Sequence, residues 1–333
     1  MTLEELWFVL IAVLFIGFFF LEGFDFGVGM STRLLARNKH EREQLMDTIG
    51  PFWDANEVWL ITAGGALFAA FPNWYATMFS GYYTLFVLLL LVLIIRGVGI
   101  EYSHHVKTDK AKNIWHWLFF IGSIGAPFLL GMLFTSLVKG MPINQDMHLF
   151  GSFSDFVNIY SLIGGLAVVL LSLVHGLTFI GLRTTGDVHT RAISLLNKVY
   201  ILLFVGEIVF AVLTYLQTDL FTVRPIATPA LLALTVIATI LGWLFANKRG
   251  EKIAFTSSGL AIAFVVAMLF IGLFPRVMIS SIDPAFNLTI ENAASGHYTL
   301  SVMTKVAFTL LPFVLGYQIW SYYVFRKRIS PKK

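Results

Sequence analysis

Five ionisable side chains stand where the sequence otherwise runs apolar: Glu22, Asp25, Asp54, Glu57 and Arg96. Glu22 and Asp25 are three residues apart, as are Asp54 and Glu57, so on a helix each pair shares a face. Carboxyls so arranged beside an arginine can exchange protons through water, or they can lock helices together as an ion-pair network. Spacing alone leaves both readings standing. For Asp54 there is also a plainer reason, since an acid in the first turn of a helix is favoured by the helix dipole.

The surroundings give these charges their weight. Of the 333 residues, 57% are hydrophobic and 13% charged, against about 25% charged in soluble domains. A chain of this length still needs a polar surface unless lipid covers it. A soluble enzyme, a disordered chain and a nucleic-acid binder all fit poorly. An ionisable residue in a membrane helix costs about 2.5–3.5 kcal/mol, so each one calls for a role.

Nine apolar stretches have the length needed to cross a bilayer, near 6–30, 50–70, 79–101, 114–137, 157–182, 195–217, 229–247, 254–275 and 301–325. None alternates polar and apolar positions as barrel strands do. The expected fold is an all-α polytopic membrane protein forming one integral membrane domain over 1–333, with no catalytic residue assigned. The first stretch lacks the basic start and small-residue cleavage site of a removable signal, so it reads as a retained helix.

Basic residues set the orientation. Eighteen of the 23 Lys and Arg fall in alternate loops and the C-terminal tail, from Arg33 to Lys333, and only Lys139, Arg224 and Arg276 lie in the opposite loops. The N-terminus is therefore expected outside and the C-terminus in the cytoplasm. This orientation brings Asp25, Asp54 and Arg96 to similar depth near the cytoplasmic boundary, with Glu22 and Glu57 one turn deeper.

Cysteine is absent, which removes disulfides, thiolate metal sites and iron–sulfur clusters. The intramembrane histidines are His116 and His175, too few to support haem ligation by this chain alone. No metal site and no cofactor-binding residue is assigned. Glu207 lies mid-helix with no partner in its own helix, while Lys305 sits near a helix end, where its amine can snorkel to the interface. Gly23 and Gly27 form a small-xxx-small pair suited to close helix packing.

At these segments the sequence resembles subunit II of the bacterial cytochrome bd quinol oxidases. The resemblance rests on Leu21-Glu22-Gly23-Phe24-Asp25-Phe26-Gly27-Val28-Gly29, on Gly50-Pro51-Phe52-Trp53-Asp54-Ala55-Asn56-Glu57-Val58-Trp59, and on the run from Thr62 to Pro72. Arg96-Gly97-Val98-Gly99 and Arg183-Thr184-Thr185-Gly186 continue it. The family often has proline where this chain has Gly97.

The resemblance implies a multi-pass chain of the bacterial cytoplasmic membrane, with two four-helix bundles and a peripheral helix. Its complex would couple quinol oxidation to reduction of dioxygen to water in aerobic respiration, building a proton-motive force without pumping. Two b-type haems, one d-type haem and the quinol site would belong to subunit I, the heterodimer partner. A proton uptake path would use Asp25, Asp54 and Arg96, and Trp59 matches a position near an oxygen route. Whether a quinone or lipid binds this chain, and whether a small single-helix subunit joins, stays open. The competing class is a proton-coupled membrane transporter, which the same buried carboxyls would suit, although Gly or Pro breaks at matching midplane positions are not evident.

Overall fold

The computed structural model describes residues 1–248 and 250–330. Arg249, Lys332 and Lys333, which entered the charge count, lie outside the described residues. The long helices are α1 (Leu3–Leu34), α3 (Trp53–Ala70), α5 (Tyr83–His105), α6 (Asp109–Lys139), α8 (Ile159–Arg183), α9 (Asp187–Gln217), α11 (Ala227–Ala246), α12 (Glu251–Leu273) and α13 (His297–Val324). Shorter ones connect them: α2 (Lys39–Ile49), α4 (Pro72–Gly81), α7 (Phe153–Phe156) and α10 (Leu220–Val223).

Among the described residues eight helices are long and apolar enough to cross a membrane. The segment expected near 50–70 is α3, which is helical over 18 residues but is not one of the eight. Its first two turns hold Asp54, Asn56 and Glu57, and Pro72 at the start of α4 ends it.

Local sequence sets the helix ends. Thr2 accepts from Glu5 N while Glu5 reaches back to Thr2 N, closing a capping box at α1. Thr108 caps α6 and Asn158 caps α8.

The helices pack as two groups of four, α1, α3, α5 and α6 beside α8, α9, α11 and α12, joined chiefly where α8 meets α1 and α6. α13 lies outside both, touching α1 and α3, and only Leu300 of its 28 residues is buried. The closest join is at Gly27 and Gly176, where an added Cβ on Gly27 would come 2.7 Å from the Gly176 Cα and closer still to the Ser172 carbonyl. Gly23 differs, because a Cβ there would meet Ile262 at an ordinary 3.4 Å. Between α12 and α13 the chain forms a small hairpin, β1 (Arg276–Met278) with β2 (Leu288–Thr289), anchored by Arg276 on Asp219.

The polar helix α2 is fastened to the membrane helices by Glu41. Arg37 N donates to Glu41 Oε2 at 2.6 Å, and Arg191 Nη2 lies 2.7 Å from the same oxygen. Burial alone would raise this carboxyl, but the hydrogen bonds from Arg191 and Arg37 outweigh it and leave it below the usual glutamate range. A lowered folded-state pKa gives stability that is full above the unfolded value, about 4.3, and lost as pH falls through the folded one. Amide protection in α2 should therefore hold from pH 7 to about pH 5 and weaken below about pH 4. Hydrogen exchange would show this, and Glu41→Gln should flatten the pH response. An unchanged response in the variant would refute the clamp.

Candidate functional site

α1, α3 and α5 bring their charges together inside the first helix group. Arg96 is fully buried, as are Glu22 and Asp25. The guanidinium is paired with Glu22, lies 3.9 Å from Glu57, and rests over the Phe26 ring at 4.8 Å from its centroid. Its backbone is pressed against α6 at Gly122, where a Cβ would stand 2.7 Å from the Arg96 Cβ. Tight backbone packing thus fixes where the long arginine stem starts.

Asp25 is held differently from Glu22. Its Oδ2 accepts from Asn56 Nδ2 at 2.8 Å, and that amide also reaches the Leu21 carbonyl at 3.3 Å. On the other side of the amide, Asn56 Oδ1 accepts from the Tyr322 hydroxyl at 2.7 Å and from Gln318 Nε2 at 3.5 Å. Gln318 in turn accepts from the Trp59 indole at 3.0 Å. Trp59 packs against α1 at Gly17, where an added Cβ would strike the indole. Glu22 Oε1 is the oxygen against the Arg96 guanidinium, and Asp25 Oδ1 is fully buried on the same face of α1.

Four of the five charges read from the sequence, Glu22, Asp25, Glu57 and Arg96, thus meet around one guanidinium. Asp54 does not join them: it is exposed and makes no ion pair among the described residues. At 100° per residue the start of α3 turns Asn56 inward and leaves Asp54 outside. Glu57, 20% exposed, forms the outer edge of the cluster.

Asn56, Gln318 and Tyr322 were not legible as site residues. Asn56 stood within the motif beside Glu57, whereas Gln318 and Tyr322 lie more than 260 residues away and had no local signal.

Elsewhere, Glu207 finds its partner on another helix, as Thr239 Oγ1 donates to it at 2.6 Å. Lys305 is exposed. Haem would need a histidine nitrogen free for iron, and His175 has both engaged, Nδ1 with Ser258 Oγ at 2.8 Å and Nε2 with the Phe20 carbonyl at 2.9 Å. His116 Nδ1 faces Arg42 at 3.3 Å. With both ring nitrogens engaged, His175 does not fit an axial haem ligand.

Fold and site together define an all-α polytopic membrane protein with a buried carboxyl–arginine cluster near one end of its first helix group. The family model described as cytochrome bd terminal oxidase subunit II matches residues 3–325. Cytochrome bd ubiquinol oxidase subunit 2 of Bacillus subtilis is 54% identical over 332 residues, covering 100% of this chain and 98% of that protein. Cytochrome bd-I ubiquinol oxidase subunit 2 of Escherichia coli K12 is 35% identical, covering 99% and 96%. A chain of the bd oxidase structure from Geobacillus thermodenitrificans superposes with a TM-score of 0.77 at 15% identity, covering 97% of this chain and 99% of that one. That last likeness concerns the fold.

The chain belongs to the cytochrome bd oxidase subunit II family. It is a multi-pass membrane subunit of a bacterial respiratory quinol oxidase, a haem-containing oxidoreductase complex, and its partner is a subunit I.

Proposed function

We propose that this chain supplies the cytoplasmic proton uptake path of the oxidase, while the haems and the quinol site lie in subunit I. One observation carries this reading: three carboxyls cluster at the single guanidinium of Arg96, Glu22 and Glu57 directly against it and the fully buried Asp25 beside Glu22 on the same face of α1. One cation balances one carboxylate, so the surplus carboxyls have reason to hold and release protons. Glu57 is the entrance, because it alone of the four is partly open. Asp25, oriented by Asn56, takes the proton onward, and Arg96 keeps Glu22 in place.

The excess of Lys and Arg at this end of the helices supports an entrance on the cytoplasmic side, with the N-terminus outside and the C-terminus inside. Reduction of dioxygen to water consumes protons, and taking them from the cytoplasm lets the complex build a proton-motive force. Asp54 on the exposed face of α3 extends the path toward subunit I, and Trp59 holds Gln318 rather than carrying protons. An oxygen route along Trp59 would use the apolar edge of its ring.

Asp25→Asn keeps the shape and the contact with Asn56 but removes the exchangeable proton. In the assembled complex it should slow oxygen consumption about ten-fold or more while haem content, read from the absorption spectrum, stays at the wild-type level. Unchanged turnover would sink the proton role.

A further inference from the structure

Between α13 and the two helix groups lies a crevice of about 900 Å³, with Trp59, Gln318 and Tyr322 on its inner wall and none of Glu22, Asp25, Glu57 or Arg96 in its lining. Its walls are apolar and largely aromatic, including Phe20, Phe24, Phe179 and Phe255. Its polar end carries Arg183, Lys252, Arg326 and Lys327, and among the described residues no acidic side chain lines it. Such segregation suits neither a soluble metabolite nor a purely hydrocarbon ligand.

Arg183 is the strongest indication of an occupant. At 5% exposure it is the buried member of the four, its Nε has no hydrogen-bond partner, and it makes no ion pair among the described residues. Its guanidinium sits 5.7 Å from the Phe52 ring centroid and 5.9 Å from that of Phe179. A buried arginine without an acid is costly. The nearby acid Glu251 is turned to Arg328 at 3.6 Å and His189 at 3.5 Å, so it does not neutralise the group. Lys252 and Lys327 are exposed and likewise unpaired among the described residues.

We propose that this crevice is a binding site for an anionic phospholipid, with the phosphate on Arg183 and the three flanking cations and an acyl chain along the aromatic walls. α13 suits such a neighbour, since almost none of it is buried by the rest of the chain and its contacts with α1 and α3 leave the gap open. The basic end faces the side that the charge count makes cytoplasmic, where anionic headgroups attract Lys and Arg. A neutral quinone would leave four cations unanswered, and free phosphate would leave the aromatic walls bare.

The test uses the whole complex, purified in mild detergent and stripped of loosely held lipid. Thermal stability is titrated with phosphatidylglycerol, with phosphatidylcholine and with inorganic phosphate, and retained lipid is read by native mass spectrometry. Phosphatidylglycerol should stabilise the wild type and remain bound, while the other two do neither. In the Lys252→Gln/Lys327→Gln variant, both changes being at exposed positions, affinity should fall about five-fold per charge removed. Arg183→Gln should lower it further, and a photoreactive phosphatidylglycerol should label α13 in the wild type only. Equal affinity in wild type and double variant, equal stabilisation by phosphatidylcholine or phosphate, or a retained quinone in place of lipid would each overturn the proposal.

Discussion

Arg96→Met should destabilise the chain by about 3–5 kcal/mol, enough to leave little assembled complex. Arg96 is fully buried and paired with Glu22, so the substitution strands a carboxylate where water cannot solvate it. The methionine stem fits the tight approach to Gly122, so steric damage is small. The partner variant separates the causes. Glu22→Gln/Arg96→Met removes both charges, and replacing a buried pair together is far milder than breaking it. Yield and melting temperature in detergent should therefore recover by more than half. A double variant as poor as the single one would mean that packing of the arginine stem, not its charge, holds α1 to α5.

Asn56→Leu should have the next largest effect, about 2–4 kcal/mol, because it leaves several buried groups unanswered at about 1–3 kcal/mol each. Asp25 Oδ2 and the Leu21 carbonyl lose a donor, while Tyr322 and Gln318 lose an acceptor. The substitution changes no ionisable group. Complex that still assembles should turn over several-fold more slowly, since Asp25 would no longer be held in its orientation. Normal turnover per haem together with lowered stability would make Asn56 a structural pin alone.

These two residues mark what could be read in the sequence. Arg96 was conspicuous because an arginine within an apolar run has few bland explanations, and the matched depth of the carboxyls on α1 and α3 pointed to a shared centre. Asn56 was not conspicuous. An amide is cheaper to bury than a charge, and only the rotation of α3 decides that Asn56 rather than Asp54 points inward.

The membrane-crossing cores of the helices were legible as apolar runs of bilayer length, but not their polar ends: α9 begins at Asp187, eight residues before the expected 195. The exception was α3, whose polar first turns and stop at Pro72 make it shorter and less apolar than the others. The partner of Glu207, the peripheral seat of α13 and the basic crevice beside it depend on contacts between distant segments. No local pattern reports such contacts.

The most direct measurement is proton uptake resolved by side. Complex is reconstituted with its cytoplasmic face toward a trapped pH dye, reduced by quinol and pulsed with oxygen. In the wild type the dye should report uptake from the trapped compartment. With Asp25→Asn that uptake should slow about ten-fold or more while the haem spectrum stays intact. Uptake from the trapped side at the wild-type rate in Asp25→Asn would contradict the account, leaving the cluster as a lock between helices.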